Sequence, residues 1–171
     1  EPRCNDRNRC RIVGRKHHRW FPQIRDEQAA TRVLAFLHIS GMGQLDNEIG
    51  ELEDIRWARV EKAIEAAKLH ADRIVGIKVR LTDNIVGSND LVALDRALEA
   101  GEELNKPVMI HVGGSVNQFE TFMEKLRPGD IVTHSFTGRP HGILDNNNKV
   151  VDAAWDAMNR VTRQVSISRI Y

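Results

Sequence analysis

The chain has 171 residues, of which 41% are hydrophobic and 29% are charged, and its formal net charge is +1. This composition is typical of a globular chain that is long enough to bury a substantial core, and no low-complexity tract is visible. No run approaches the ~18 apolar residues of a membrane span, and no secretory signal pattern opens the sequence. Two cysteines, Cys4 and Cys10, are too few for a disulfide framework, so we expect a cytoplasmic protein that does not interact with membranes.

Charge is unevenly distributed, because residues 1–25 contain eight Lys/Arg against two acids, whereas the rest of the chain is net acidic. One interpretation of this stretch is an arm that binds nucleic acid. Another is a zinc site, for which the four candidate ligands are Cys4, Cys10, His17 and His18. Their spacing fits no common zinc module, and the stretch has little periodicity. We therefore favour an irregular leader, with RNA binding as a weaker alternative.

This interpretation divides the chain into three parts. Residues 1–27 are assigned to an atypical basic leader without ordered structure, residues 28–163 to the folded domain, and residues 164–171 to an atypical tail. No internal repeat and no further domain boundary is visible within the folded part.

Within the folded domain, two kinds of apolar pattern alternate along the chain. Short runs of β-branched residues predict buried strands at 33–39, 74–81, 107–112 and 130–136. Apolar residues at spacings of three and four predict helices at 53–71, 88–104, 119–126 and 149–163. Such alternation is typical of α/β proteins in which right-handed crossovers connect parallel strands.

Three of the predicted strands contain or end on an unexpected polar residue, namely Lys78, His111 and His134. A buried ammonium group opposes folding unless it is paired or neutral. A neutral lysine can react with carbon dioxide to give a carbamate, an anionic ligand that can bridge two metal ions, and the two histidines can supply imidazole nitrogens to the same metals. Alone, each histidine would more simply be a hydrogen-bonded core residue, and the lysine would be an ion-pair partner.

The three strand sequences resemble those of a known family. The segments Gly-Ile-Lys78-Val-Arg, Val-Met-Ile-His111-Val-Gly-Gly and Asp-Ile-Val-Thr-His134-Ser-Phe-Thr-Gly are similar to strands four, five and six of the amidohydrolase superfamily. The nearest branch is that of the amidohydrolase/deacetylase metallohydrolases, which are relatives of dihydroorotase. The resemblance extends from about Thr31 to about Arg160, and the run at 33–39 corresponds to the third strand.

The resemblance implies a partial (β/α)8 barrel, a TIM barrel in which parallel strands alternate with helices. It also implies a metal-dependent hydrolase that cleaves an amide or ester bond of a small acetylated or cyclic amide substrate. Two divalent metal ions, zinc by preference, would be held by Lys78 as a carbamate bridge and by His111 and His134. Arg80 would contact an anionic group of the substrate, although a structural ion pair is an equal alternative for it.

Parts of the family pattern are absent from this sequence. The superfamily has a His-x-His motif on its first strand and a metal-binding aspartate on its eighth, and neither has a counterpart here. We therefore expect a truncated chain that is inactive as it stands, poorly soluble, and able to associate with itself as a homo-oligomer. A non-catalytic fragment or interaction protein is the alternative. Two further histidines are expected outside the metal site, with His38 packed in its strand and His141 in an exposed loop.

Overall fold

The computed structural model describes residues 9–13, 33–44 and 48–160. Five strands form one sheet in the order of the sequence, and each strand pairs in parallel with the next. The strands are β1 (Arg9–Val13), β2 (Val33–His38), β3 (Ile74–Arg80), β4 (Val108–His111) and β5 (Ile131–Thr133). A parallel sheet in sequential order is the arrangement found in a (β/α)8 barrel, so the predicted fold class is confirmed.

The described helices follow strands β2 to β5. They are α1 (Val60–Leu69), the short α2 (Asp83–Val86), α3 (Asp90–Glu103), α4 (Phe119–Lys125) and α5 (Asp152–Arg160). Helix α3 packs against β3 and β4, α1 packs against α3 and β2, and α4 packs against α5. Among the described residues, no helix is long and apolar enough to cross a membrane.

The two faces of the sheet differ in chemistry because successive side chains of a strand point to opposite faces. Ile77 and Val79 of β3 are fully buried in the apolar core, together with Ala93 and Ala97 of α3. The opposite face carries the alternate residues of each strand, and several of these residues are polar. They are His38 of β2, Lys78 and Arg80 of β3, His111 of β4 and Thr133 of β5. The polar residues that interrupt the apolar runs therefore share one face.

One predicted helix is divided in the structure. The helix expected at 53–71 is divided into a single 3-10 turn at Ile55–Trp57 and helix α1, which begins at Val60. The Asp54 carboxylate caps the 3-10 turn by accepting from the Arg56 backbone N–H, and Trp57 stays 38% exposed instead of joining the buried stripe. The apolar spacing that includes Trp57 therefore does not mark one continuous helix.

Strand β1 is a second difference. It lies inside the segment that we assign to a leader without ordered structure, yet residues 9–13 pair in parallel with β2 from Arg9–Val33 to Val13–Leu37. In the structure these five residues are part of the sheet. Backbone hydrogen bonds to a neighbouring strand form without an apolar side-chain pattern, which explains why an arginine-rich sequence gave no strand signal. Cys4, His17, His18 and residues 164–171 lie outside the described residues.

Asp130 fixes the turn that leads into β5. Its buried carboxylate accepts hydrogen bonds from the backbone N–H groups of Val108 and Arg127, both at 2.8 Å, and from the Arg127 guanidinium at 3.0 Å. It thereby connects the start of β4 to the start of β5.

We expect Asp130→Ala to lower the free energy of unfolding by about 2–4 kcal/mol, because it leaves two backbone donors and an arginine without their acceptor. Denaturant unfolding followed by circular dichroism measures this change. Asp95→Ala is the control, since Asp95 is 55% exposed and pairs only with the surface Lys125. A loss at Asp130 no larger than that at Asp95 would contradict the assigned role.

Candidate metal centre

Lys78 lies on the polar face of β3 and is only 1% exposed. Its Nζ donates a hydrogen bond to Oγ1 of Thr133, 3.2 Å away, and that hydroxyl donates in turn to the carbonyl oxygen of Ile110 at 2.8 Å. No carboxylate pairs with this amine among the described residues. Burial, reinforced by the charge on Arg80, lowers the pKa of Lys78 to about 7. The lysine is therefore held by a neutral partner and loses its proton near neutral pH.

His111 and His134 lie side by side at the carboxyl ends of β4 and β5. Their ring centroids are 4.6 Å apart, and the ring planes meet at 71°. Burial, with the charges on Lys78, His134, Arg80 and Arg139, lowers the pKa of His111 to about 3. Burial and Lys78 also lower the pKa of His134. Both rings are consequently neutral at pH 7, which is the state in which imidazole binds metal.

Thr133 and His134 are consecutive, yet both lie on the side of the sheet that carries Lys78 and His111. The backbone conformation of His134 explains this arrangement. Thr133 faces Lys78, so His134 would point to the opposite face if the strand continued. Instead, His134 has φ = 62°, a left-handed conformation that ends the alternation and leaves its ring beside that of His111. Such a conformation is uncommon for a residue other than glycine and costs on the order of 1 kcal/mol or more.

A buried nitrogen without a hydrogen-bond partner bears on whether these residues suit a metal ion. Nδ1 of His111 is buried and has no hydrogen-bond partner among the described residues. An unpartnered polar atom of this kind is costly and calls for an explanation, and a metal ion is a chemically suitable partner for a neutral imidazole nitrogen. His, Cys, Asp and Glu alone form no cluster of three that could hold a metal ion in the part of the chain that the structure describes. A metal ion at this point would need a third ligand group besides the two histidines, and Lys78 on the same face of the sheet is the candidate.

Arg80, the candidate substrate contact, forms an ion pair with a carboxylate of the protein. Its Nε lies 2.8 Å from Oε1 of Glu51, and one terminal nitrogen lies 2.6 Å from Oε2, so the pair is bidentate. Both side chains are almost fully buried. This geometry is that of the structural ion pair named above as the alternative for Arg80.

His38 completes the buried network beside Lys78. Its Nδ1 accepts from the Ser40 backbone N–H at 3.0 Å, so the proton of the neutral ring resides on Nε2, which lies 3.1 Å from Oε1 of Glu51. Burial is the main cause that lowers the pKa of His38. Burial alone would raise the pKa of Glu51, but hydrogen bonds from His38 and Arg80 outweigh it and lower that pKa to about 2. The packed His38 expected from sequence is thus part of a charged cluster.

Sequence reasoning did not identify Glu51 or Thr133. Glu51 follows Gly50 in an irregular segment without apolar periodicity, where a charged residue ordinarily indicates a solvent-exposed loop. Thr133 is a common strand residue, and nothing in its sequence context marks it as the partner of Lys78. The mismatch of Arg80 and Lys78 with their apolar strand was the available signal, because buried cations require partners.

The loop that follows β5 lies next to the turn that follows β4. Gly113 and Gly114 have φ = 92° and 75°, and the Gly114 N–H donates to the Pro140 carbonyl at 2.7 Å. Nδ1 of His141 donates to the Ser115 carbonyl at 2.7 Å, so His141 is a half-buried anchor of the loop and not the exposed histidine expected. A cavity of about 370 Å³ is lined by residues of this loop between Ser135 and Asn148.

Known proteins provide an independent comparison. No protein-family model matches the chain. A deacetylase from Enterococcus faecalis is 32% identical over 137 residues, which cover 78% of this chain and 36% of the relative. A deacetylase from Brucella anthropi is 32% identical over 128 residues, or 74% of this chain and 32% of the relative. The chain therefore spans about a third of the length of the curated relatives it matches.

Two solved structures match the fold. A dihydroorotase superposes with a TM-score of 0.78 at 25% identity, covering 92% of this chain and 43% of that one. An adenine deaminase superposes with a TM-score of 0.80 at 29% identity, covering 88% and 42% respectively. The parallel sheet and its helices are thus part of a TIM-barrel-like fold whose carboxyl-terminal strand ends carry the polar cluster. The chain belongs to the amidohydrolase superfamily, in agreement with the resemblance found in its strand sequences.

Proposed function

We propose that the protein is a metal-dependent hydrolase that removes an acyl group, acetyl by preference, from a small amide or ester. The observation that supports this most directly is the convergence of a lysine with a low pKa and two neutral histidines at adjacent strand ends. The relatives named deacetylases support an acyl substrate. Because the chain spans about a third of their length, the activity is proposed for the protein as a whole, and the assays described below use that protein. The expectation that these 171 residues alone are inactive stays a prediction.

In this proposal His111 and His134 hold divalent metal, and the unpartnered Nδ1 of His111 is the ligand atom on that ring. Two zinc ions are the preferred occupants, and when bound they would supply hydroxide at neutral pH and polarise the substrate carbonyl. The neutral state of both rings keeps their lone pairs available, so no proton must be displaced from them at pH 7.

Lys78 contributes the anionic ligand. Its pKa of about 7 leaves a substantial neutral fraction at physiological pH, and the neutral amine adds to carbon dioxide, forming an N–C bond and releasing one proton. The product is a carbamate with two oxygen ligands and a single negative charge. Thr133 holds the nitrogen in position, since its hydroxyl proton is already donated to Ile110 and its oxygen remains free to accept.

The overall reaction is hydrolysis of the acyl bond. The oxygen of water adds to the acyl carbon, the C–N or C–O bond breaks, and the leaving nitrogen or oxygen takes a proton. Acetate and an amine or alcohol are the products when the acyl group is acetyl. The Glu51–Arg80 pair has a structural role in this scheme, because it holds β3 next to the loop that follows β2.

We expect metal removal to abolish the activity reversibly. Dialysis of the protein against a chelator should lower the rate of acetate release by at least about 100-fold, and added zinc should restore it, because metal chemistry contributes several kcal/mol to such barriers. Metal content by atomic emission and acetate by NMR are measured on the same samples. Full turnover of metal-free protein would refute the metal-dependent reaction, and no turnover of any acylated substrate would refute the hydrolase.

A further inference from the structure

Arg139 has no carboxylate partner among the described residues. Arg80, the other arginine placed at the candidate site, is bound by Glu51. Within the part of the chain that the structure describes, no acid lies within salt-bridge distance of the Arg139 guanidinium, and the one hydrogen bond of Arg139 is from its backbone N–H to Oγ1 of Thr137. Its side chain is exposed. This cation is therefore available to a ligand.

The position of Arg139 is fixed by the glycine turn that follows His111 and Val112. A Cβ atom added to Gly113 would lie 3.2 Å from Cβ of Arg139, and one added to Gly114 would lie 3.5 Å from its Cδ and 3.7 Å from a terminal nitrogen. The arginine thus packs against the two glycines, whose positive φ angles favour residues without side chains. The Gly114–Pro140 and His141–Ser115 hydrogen bonds hold both ends of the contact.

This placement brings a positive charge to the rim of the candidate metal centre. Arg139 packs against Gly113 and Gly114, which are two and three residues after His111, so its side chain lies next to the carboxyl end of β4. Arg139 also lines the cavity of about 370 Å³ formed by the loop after β5. The cavity therefore combines volume for a small molecule with the guanidinium of Arg139, and it begins at Ser135, the residue that follows His134.

We propose that Arg139 binds a carboxylate of the substrate, so that the protein acts on small acylated acids such as N-acyl amino acids in preference to neutral acylated compounds. This inference rests on the proposed function and specifies its substrate class. A guanidinium matches a carboxylate in a planar, two-bonded geometry, and the absence of a protein acid leaves that geometry to the ligand. Arg139 is a specificity residue in this scheme and takes no part in bond breaking.

The test compares N-acetylglycine with N-acetylglycinamide, which differ only in replacing the carboxylate with a neutral amide. We expect a kcat/KM about 10–100-fold higher for the acid, the range that one charge-assisted bidentate contact provides. Arg139→Met should remove this preference by raising KM for the acid while leaving the amide almost unchanged. Arg139→Lys should restore part of it. Arg56→Met is the control, because Arg56 is an exposed arginine whose partner, Asp54, is also on the surface.

Binding separates failure of this inference from failure of the hydrolase. If neither compound releases acetate, the proposed reaction fails, and the dissociation constants of the same two compounds, measured by NMR titration, then decide the role of Arg139. Tighter binding of the acid that is lost in Arg139→Met supports the inference. Equal affinity or equal kcat/KM for acid and amide, or equal effects of Arg139→Met on both, would overturn it.

Discussion

Replacing Lys78 with methionine is expected to reduce acetate release by a factor on the order of 10³ while leaving the protein at least as stable as the wild type. Methionine has a similar length and volume but can neither form a carbamate nor bind a divalent ion. Loss of a group that supports metal binding removes several kcal/mol of transition-state stabilisation. Stability should not fall, because burying an amine that carries no carboxylate partner opposes folding.

The experiment measures turnover, zinc content and denaturant unfolding on the same preparation. Lys68→Met is the matched control, since Lys68 is an exposed lysine on α1. Zinc content should fall in Lys78→Met and stay constant in the control. If Lys78→Met retains turnover within about tenfold of the wild type, the lysine has no role in metal chemistry. A loss of stability by several kcal/mol would instead indicate a structural lysine.

The three strand-end residues could be predicted from the sequence because each violates the pattern around it. Lysine and histidine within apolar, β-branched runs are costly unless they have a purpose, and parallel strands bring their carboxyl ends to one edge. The fold class could also be predicted, because the alternation of strands with helices is visible in the local apolar pattern. These inferences depend only on local pattern and on the rule that polar groups are rarely buried without partners.

The remaining features depend on contacts between distant segments. Glu51 meets Arg80 across 29 positions of sequence, and Thr133 meets Lys78 across 55, and neither acceptor lies in a distinctive local pattern. The left-handed backbone of His134 is likewise set by its surroundings, because histidine does not require that conformation. Arg139 is distinguished only by having no carboxylate partner among the described residues, and its local sequence does not indicate this.

Replacing Glu51 with glutamine is expected to lower the free energy of unfolding at pH 7 by about 3–5 kcal/mol. The substitution keeps the shape of the side chain but removes the charge that Arg80 and His38 face in a nearly dry environment. Breaking one partner of a buried pair is costly because the other charge stays buried. Glu65→Gln serves as the control, since Glu65 pairs with Lys62 on the surface and should change stability by less than about 1 kcal/mol.

The same variant has a distinctive dependence on pH. Glu51 has a pKa of about 2 in the folded protein against an ordinary value of 4.5, so its contribution is fully present above about pH 4.5 and is lost as the pH falls towards 2. The shift corresponds to about 2–3 kcal/mol after allowance for solvent screening. Neutral His38 also destabilises the folded state in acid, and it does so at least as strongly in the variant, because Glu51 raises the pKa of His38 and the substitution removes that influence. Urea unfolding between pH 7 and pH 2.5 should therefore show the wild-type advantage over Glu51→Gln shrinking only below about pH 4.5. An advantage that stays constant down to pH 2.5 would mean that the Glu51 charge does not stabilise the fold.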